Sequence, residues 1–541
     1  MVRATFFGLE IGKTGLTMSQ LGLDVTGHNI ANVDTRGYTR QRIVSTAYDP
    51  FATIGRALPV DQARVGGGVH VMIHDQIRSA YLDRRFRTEN STNAYWQKRT
   101  ESLRYLESYF DNVNEETSIN YSIARFFKAM KVLAEDTVEG APRTLLQTAG
   151  KDLVQQLNLI YEGLIDLQET QNKAVLDSVG QINRIADEIA QLNKAIYGFE
   201  ITGHVANDLR DKRNVLLDDL STLVDIEYRD YPDGKGYTKL EVSIGGRVLV
   251  DHADTWQVCV REVPNKIPEL KDADEAPVWE VVWMKDDPSG KPIPDPDSPL
   301  ILKGGELKAY IDMRDGDGID KNPRGIPYYI EMLNNLARAL VQEVNTIHTQ
   351  GWTDHPVDDS STGIKFFEDF GAGTGPGYVV DQETLLSVTA RNIRLSDEVE
   401  ESEYNIACSS KMIVKQGSPE ELQRGNNENM NALYALFLKK DIALGDKAFG
   451  GIAIGSFDGY ATSIRFDVGN TLNTAIKTAE NSNTLTIAAE NQRLAIAGVS
   501  LDEEMTNLIR YQHAYNGAAR VITAMDDALD RLINGTGRVG L

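Results

Sequence analysis

Basic charge is in short supply. Lys and Arg number 56 against 79 Asp and Glu, a net charge of −23. A surface so acidic argues against nucleic acid as a partner, because neutralising phosphates requires a basic face. It argues equally against an anionic membrane surface. Cysteine is nearly absent: Cys259 and Cys408 are the only two. They provide neither zinc-ligand spacing nor a disulfide framework, and they leave the compartment open. No apolar run approaches the roughly 18–20 residues that span a bilayer. Charges at Arg3, Glu10 and Lys13 interrupt the first apolar stretch, so no cleavable secretory signal is expected. Catalytic motifs are missing too. There is no G-x-S-x-G elbow and no H-E-x-x-H motif, and the glycine-rich run 371–377 lacks the lysine of a phosphate-binding loop. The chain is expected to be no enzyme and to carry no cofactor or metal. What remains is ordinary globular material, 541 residues and 41% hydrophobic, enough for about three to four domains.

Both ends of the chain read as helices. Near the N-terminus Leu9, Leu16, Leu23 and Ile30 recur every seven residues. Beside them Gly8, Gly12, Gly15, Ser19, Gly22 and Thr26 fall at alternating spacings of four and three. That is a heptad seam of small residues, which lets a second helix come close. Glycine costs about 1 kcal/mol against alanine in a helix, so this segment predicts a weak helix alone and a good one against a partner. At the other end Ser500 and Glu503 suit a capping box, and Asp502, Glu503 and Glu504 fill a first turn where the dipole favours acids. Leu501, Met505, Leu508, Gln512, Tyr515, Ala519, Ile522, Asp526, Leu529 and Ile533 then follow the four-three spacing, apolar except at Gln512 and Asp526. The helix should stop near Asn534-Gly535. The expected partner of each terminal helix is the other.

Helical pattern also fills 88–110, 119–135, 141–199, 205–224, 303–314, 326–350, 428–440 and 456–495. A helix across 141–199 would be about 90 Å long and implies a rod-like body. Residues 226–285 instead alternate apolar and polar at 239–244, 256–261 and 278–283, with Gly245-Gly246 as a hairpin turn. Trp256, Trp279 and Trp283 lie here and suggest a small β-domain core. Asp286–Pro299 holds five prolines and is expected to be irregular. The fold class is therefore mainly α with an inserted β-domain.

Three further patterns invite a chemical reading. His70 and His74 have metal-ligand spacing, but the segment reads as a strand, where such a pair lies too far apart for easy chelation. Asp312, Asp315, Asp317 and Asp320 resemble a calcium loop, yet Ile319 stands where an acid belongs and no glutamate closes the loop. The Asp-Glu-Glu run at 502–504 is explained by its helix start.

Asn29-Ile30-Ala31-Asn32-Val33-Asp34-Thr35-Arg36-Gly37-Tyr38-Thr39-Arg40-Gln41 is more specific. It resembles the N-I-A-N-x-x-T-x-G-Y-x-R-Q signature of the bacterial flagellar axial proteins, the rod, hook and hook-associated subunits. Asn29, Asn32, Thr35, Gly37, Tyr38 and Arg40 carry the match. Gly498-Val-Ser-Leu-Asp-Glu-Glu504 with Leu508–Tyr515 is similar to the C-terminal end of the FlgK hook-associated family. Asn207-Asp-Leu-Arg-Asp-Lys-Arg213, Gly304-Gly-Glu-Leu307 and the helix with Asn345, His348 and Gly351 resemble interior elements of that family. Gly425-Asn426-Asn427 departs from its usual G-D-N.

The resemblance implies a structural subunit of the bacterial flagellum, at the junction of hook and filament, built by helical self-assembly. It implies the hook protein, the second junction protein and a small export chaperone as partners, the chaperone on the C-terminal helix. It also implies extracellular location after export by the flagellar type III apparatus. The expected organisation is an inner coiled-coil domain from 1–45 and 496–541, a helical body from 46–225 and 301–495, and an outward β-rich insertion at 226–300. Rival readings are another axial subunit, such as hook or second junction protein, or a secreted calcium-binding or enzymatic protein on an axial scaffold. The insertion, with His252 as its one histidine, offers the last reading no metal or nucleophile constellation.

Overall fold

The structure, a computed structural model, describes residues 7–47, 67–110, 118–203, 205–234, 237–267, 270, 277–286, 291–320, 322–353, 362–370, 382–411, 425–445 and 454–535. The glycine-rich run 371–377 and the side chain of His74 lie outside the described residues.

The chain opens with α1, Phe7–Ala31. It turns through the signature segment into β1, Gln41–Ala47, which pairs antiparallel with β2, Val69–Gln76. Helices α2, Ala80–Phe110, and α3, Ile119–Glu135, follow. Next comes α4, Gly140–Ile201, whose 62 residues make a rod about 90 Å long. Helix α5, Asn207–Leu223, doubles back beside it.

The strand region then forms two antiparallel sheets. One runs β3, Ile226–Pro232, β4, Thr238–Ile244, β5, Arg247–Asp251, and β6, Asp254–Thr255. The other runs β7, Val258–Val263, β8, Val278–Asp286, and β9, Pro292–Pro299. Gly245 and Gly246, at φ of +57° and +84°, make the tight turn between β4 and β5 that the sequence suggests.

The proline-rich stretch corrects an expectation: residues 292–299 are a strand, not irregular chain. β9 is an edge strand, and Pro292, Pro294 and Pro296 are spaced by two. Their missing N–H groups therefore all belong to one row, the kind of placement an edge strand tolerates.

The helical body resumes with α6, Glu306–Asp315, and α7, Ile326–His348, then short α8, Gln382–Leu386, and α9, Asp397–Glu401. It continues with α10, Glu428–Leu438, the small pair β10, Ile442–Ala443, and β11, Ile454–Gly455, and α11, Phe457–Ala497. The last helix is α12, Leu501–Gly535.

Two apolar cores sit along α4. Its first half gives Leu146, Leu153, Leu157 and Leu164 to a core shared with α3, α7 and α11. Its second half gives Val175, Ile182 and Ile189 to a core shared with α5 and with Leu240, Val242 and Leu249 of the strands. The strands thus bury their inner faces against the long helix instead of enclosing a core of their own. Trp283 is buried there, Trp279 packs at its margin, and Trp256 is 43% exposed.

Candidate functional site: the meeting of the two termini

α1 and α12 run antiparallel, and the small-residue stripe is their contact. A methyl group built on Gly8 would stand 2.1 Å from the Met525 Cε, and one on Gly22 would stand 2.5 Å from the Tyr511 ring. Between them, Gly12 faces Ile522 at 2.8 Å and Gly15 faces the Ala518 Cβ at 3.6 Å. Large side chains of α12 therefore seat in hollows where α1 has no side chain. Ser19 is buried, and its hydroxyl donates to the Gly15 carbonyl at 2.8 Å, so it adds no unsatisfied group. Leu9, Leu16, Leu23 and Ile30 flank the stripe half-buried.

The face of α12 is rotated from the expected seam. The contact runs through Glu504, Leu508, Tyr511, Tyr515, Ala518, Ile522, Met525 and Leu529. Leu508, Tyr515, Ile522 and Leu529 are common to both patterns. Leu501, Met505 and Ile533 are exposed, at 49%, 51% and 67%. Met505 lies off the contact face, about 100° around the helix from Glu504. Leu501 and Ile533 lie past the two ends of the contact, since α1 stops at Ala31 and Gly8 already opposes Met525. Counting apolar residues hides this rotation because two knobs, Glu504 and Tyr511, carry polar atoms.

The axial signature folds into a knot just after α1. Asn29 is 1% exposed. Its Nδ2 donates to the Gln41 carbonyl at 2.9 Å and to Glu504 Oε2 at 3.0 Å. Its Oδ1 accepts from the Gln41 N–H at 3.0 Å and the Tyr38 hydroxyl at 2.7 Å. One amide thus holds the helix end, the returning strand and the first turn of α12. Asn32 Nδ2 returns to the His28 carbonyl, and Thr35 donates to Asn32 Oδ1 at 3.1 Å. Gly37, at φ +79°, turns the chain where a methyl group would stand 2.1 Å from Val215 Cγ2. Burial, with Asp208, Asp211 and Glu504 nearby, pushes the Tyr38 hydroxyl well above its ordinary range, which keeps it a donor.

Arg40 closes the knot. Its Nε donates to Glu504 Oε1 at 2.8 Å and its Nη1 to Glu503 Oε2 at 2.5 Å, while its backbone N–H reaches the Ala497 carbonyl at 2.9 Å. Glu503 is spent on Arg40, so the capping box is only half made. The Ser500 hydroxyl accepts the Glu503 N–H at a long 3.5 Å.

α5 completes the arrangement. Asp208 accepts from Gln41 Nε2 at 3.1 Å and Asp211 from the Thr39 N–H at 3.0 Å. Burial raises the Asp211 carboxyl, and the Thr39 hydrogen bonds and Arg78 oppose that rise. Three segments that look unrelated in sequence, 29–41, 207–213 and 500–504, therefore meet at one place. Beside them Asp218 accepts from Arg87 at 2.7 Å and Arg493 at 2.6 Å, tying α5 to α2 and α11. Burial disfavours the Asp218 carboxylate, but the two guanidinium groups outweigh it and hold its pKa below the usual value. Sequence reading missed these acid partners. The arginine-glutamine pair that ends the signature was the available signal.

Three of the four aspartates of the calcium-like loop take separate partners. Asp312 accepts from Tyr95 and Lys308, Asp315 from Arg314, and Asp317 from the Ile319 N–H and Asn322. His70 is exposed on β2. Among the described residues no group of three or more His, Cys, Asp or Glu side chains is placed to hold a metal ion. Among them, too, no helix is long and apolar enough to cross a membrane.

Comparison with known proteins agrees with this geometry. Residues 103–367 match the family model of the flagellar hook-associated protein FlgK helical domain, and residues 490–535 match that of the flagellar basal body rod FlgEFG protein C-terminal. Flagellar hook-associated protein 1 of Bacillus subtilis is 28% identical over 99% of both chains. That of Salmonella typhimurium is 23% identical over 96% of this chain and 98% of its own. The flagellar hook junction protein FlgK from Burkholderia pseudomallei has the same fold, with a TM-score of 0.57 at 12% identity over 76% of this chain and all of that one. With its helical body and both terminal motifs accounted for, the chain is similar from end to end to the FlgK family of flagellar hook-associated proteins, structural subunits of the hook–filament junction.

Proposed function

We propose that this subunit joins its neighbours through the outer face of the terminal helix pair, and that it does so without catalysis. The observation that carries the reading is the apolar side chains that α12 leaves uncovered while its inner face is filled by α1. Leu501, Met505 and Ile509 are each about half exposed, and so are Leu494 and Ile496 at the end of α11. Such residues on a helix are interface material when a neighbour exists. The expected contacts are head-to-tail, which propagate into helical assemblies instead of closing as dimers. The neighbours are further copies, the hook protein below and the second junction protein above. The seam residues Gly8, Gly12, Gly15, Ser19 and Gly22 act inside the subunit, giving the pair its shape.

On this reading the chain travels through the flagellar export apparatus to an extracellular position. Before assembly, the apolar surface of α12 suits a small chaperone that receives an amphipathic helix in a groove. Removing 500–541 is expected to abolish chaperone binding in a pull-down, and unchanged affinity would place that site elsewhere.

The decisive experiment changes the outer face alone. Met505→Asp with Ile509→Asp alters no residue of the observed contact with α1, so far-UV circular dichroism should be unchanged. In a strain lacking the native subunit, the double variant is expected to yield hooks without filaments in micrographs, with filament protein shed to the medium. Full motility from a normally exported variant would remove this face from the junction.

A further inference from the structure

The packing of the terminal pair is repetitive enough to fit in more than one way. Gly8, Gly15 and Gly22 recur every seven residues, and they meet Met525, Ala518 and Tyr511, which also recur every seven in the opposite direction. Sliding α12 by one heptad would again set glycine against side chain: Gly15 against Met525 or Tyr511, and Gly22 against Ala518. Hollows and knobs alone therefore do not fix the register.

We propose that Glu504 sets the register of α12 on α1, as a carboxyl side chain sunk in a contact built largely of glycine and apolar side chains. Glu504 is 2% exposed. Both its oxygens are taken, one by Asn29 Nδ2 at 3.0 Å and one by Arg40 Nε at 2.8 Å. Neither of these partners can follow a sliding helix; only Asn507 of α12 itself, whose Nδ2 donates to Oε1 at a long 3.5 Å, would move with it. Arg40 is held to the end of α11 through the Ala497 carbonyl, and the neighbouring Thr39 N–H is held by Asp211 of α5. Asn29 is held by both polar backbone groups of Gln41.

A slide one way leaves Glu504 beside Gly22 and the buried Val25, away from both Asn29 and Arg40. A slide the other way carries it past Ala31, where α1 ends. The first slip strands a buried carboxylate and the second strands the Asn29 amide, each a heavy penalty. Only the observed register satisfies Glu504, Asn29 and Arg40 together.

Disulfide trapping reads the register directly. In the full-length chain carrying Cys259→Ser and Cys408→Ser, three pairs are built: Gly15→Cys with Ala518→Cys, with Tyr511→Cys, or with Met525→Cys. The first reports the observed register, because the two Cβ positions lie 3.6 Å apart. That is inside the roughly 3.5–4.5 Å that a disulfide spans. The other two report slides of one heptad. With Glu504 intact, only the first pair is expected to close.

In Glu504→Leu the slipped pairs should rise at least about tenfold relative to the first, since no charge then has to be satisfied. Arg40→Gln should slip likewise, and it serves as the second variant if Glu504→Leu does not fold. Glu504→Gln, which still accepts from Asn29, should fall between. Exclusive closure of the first pair in both Glu504→Leu and Arg40→Gln overturns the proposal. So does loss of all three disulfides in a folded Glu504→Leu, which would make Glu504 a clamp and not a register key. Equal closure of the three pairs with Glu504 intact overturns it as well.

Discussion

Among single residues, the glycines of α1 are not interchangeable, and the contacts rank them. A methyl on Gly15 meets Ala518 at an ordinary 3.6 Å, so Gly15→Ala should stabilise the terminal pair by up to about 1 kcal/mol through helix propensity. A methyl on Gly22 would enter the root of the Tyr511 ring at 2.5 Å, a position with little give. Gly22→Ala should therefore cost about 1–3 kcal/mol, the usual range for overpacking. Urea denaturation of the two variants checks the opposite signs, and equal effects would mean the stripe is not the contact. Elsewhere, His348 shows how a buried base records pH. It is fully enclosed, with Nδ1 donating to the Ile364 carbonyl at 2.7 Å and Nε2 accepting from the Ala407 N–H at 3.0 Å. Burial pushes its pKa down to about 4 from an ordinary 6.5. Since the unfolded chain takes up that proton first, the neutral form contributes stability above pH 6.5 that is lost as the pH falls towards 4. Between pH 7 and pH 5 the loss should be about 2 kcal/mol. Denaturation at both pH values, compared with His348→Gln, tests this, because the variant should lack that part of the slope.

On the scale of elements, α1 and α4 fold for opposite reasons. α4 repeats an apolar stripe over 62 residues and is buried on one face against two successive cores. α1 has five glycines between positions 8 and 27 and offers a partner hollows instead of side chains. Helix initiation is already costly, and such a segment gains little from propagation alone. Deleting α12 should therefore remove more helical signal than its own 35 residues, approaching a further 25 from α1. Circular dichroism on the chain ending at residue 499 measures it, and limited proteolysis should then cut α1 first. A loss confined to 35 residues would show that α1 is helical unaided.

For the molecule as a whole, charge and architecture serve different ends. A net charge of −23 keeps subunits apart in solution, so neighbouring copies need apolar contact to associate. The exposed side chains of α12 are where we expect that contact. Inside the subunit, Asp218 binds α2, α5 and α11 at one point through Arg87 and Arg493. Its depressed pKa means this stabilisation is present above the ordinary carboxylate value and is lost as pH falls through the lower folded one. Asp218→Asn should accordingly lower stability at pH 7, with a smaller difference from the native chain near pH 3. A constant difference across that range, followed by thermal melts, would place the value of Asp218 in its packing.

The helices, the two termini as partners, the small-residue stripe and the resemblance to a family are legible in the chain alone. Those features are written in periodicity and in contiguous motifs, and a period of seven or a run such as 29–41 needs no third dimension to be seen. Tertiary structure alone decided which face of α12 meets α1, because that choice depends on knobs, Tyr511 and Glu504, whose polar atoms disguise them as surface. It also decided that a proline-rich segment is an edge strand, since a missing N–H matters only once it is known which edge lacks a partner. Likewise it brought 29–41, 207–213 and 500–504 to one place. Asn29 can satisfy its four hydrogen bonds only when a helix end, a strand and the far terminus of the chain arrive together, and that is a condition on space that spacing along the chain does not express.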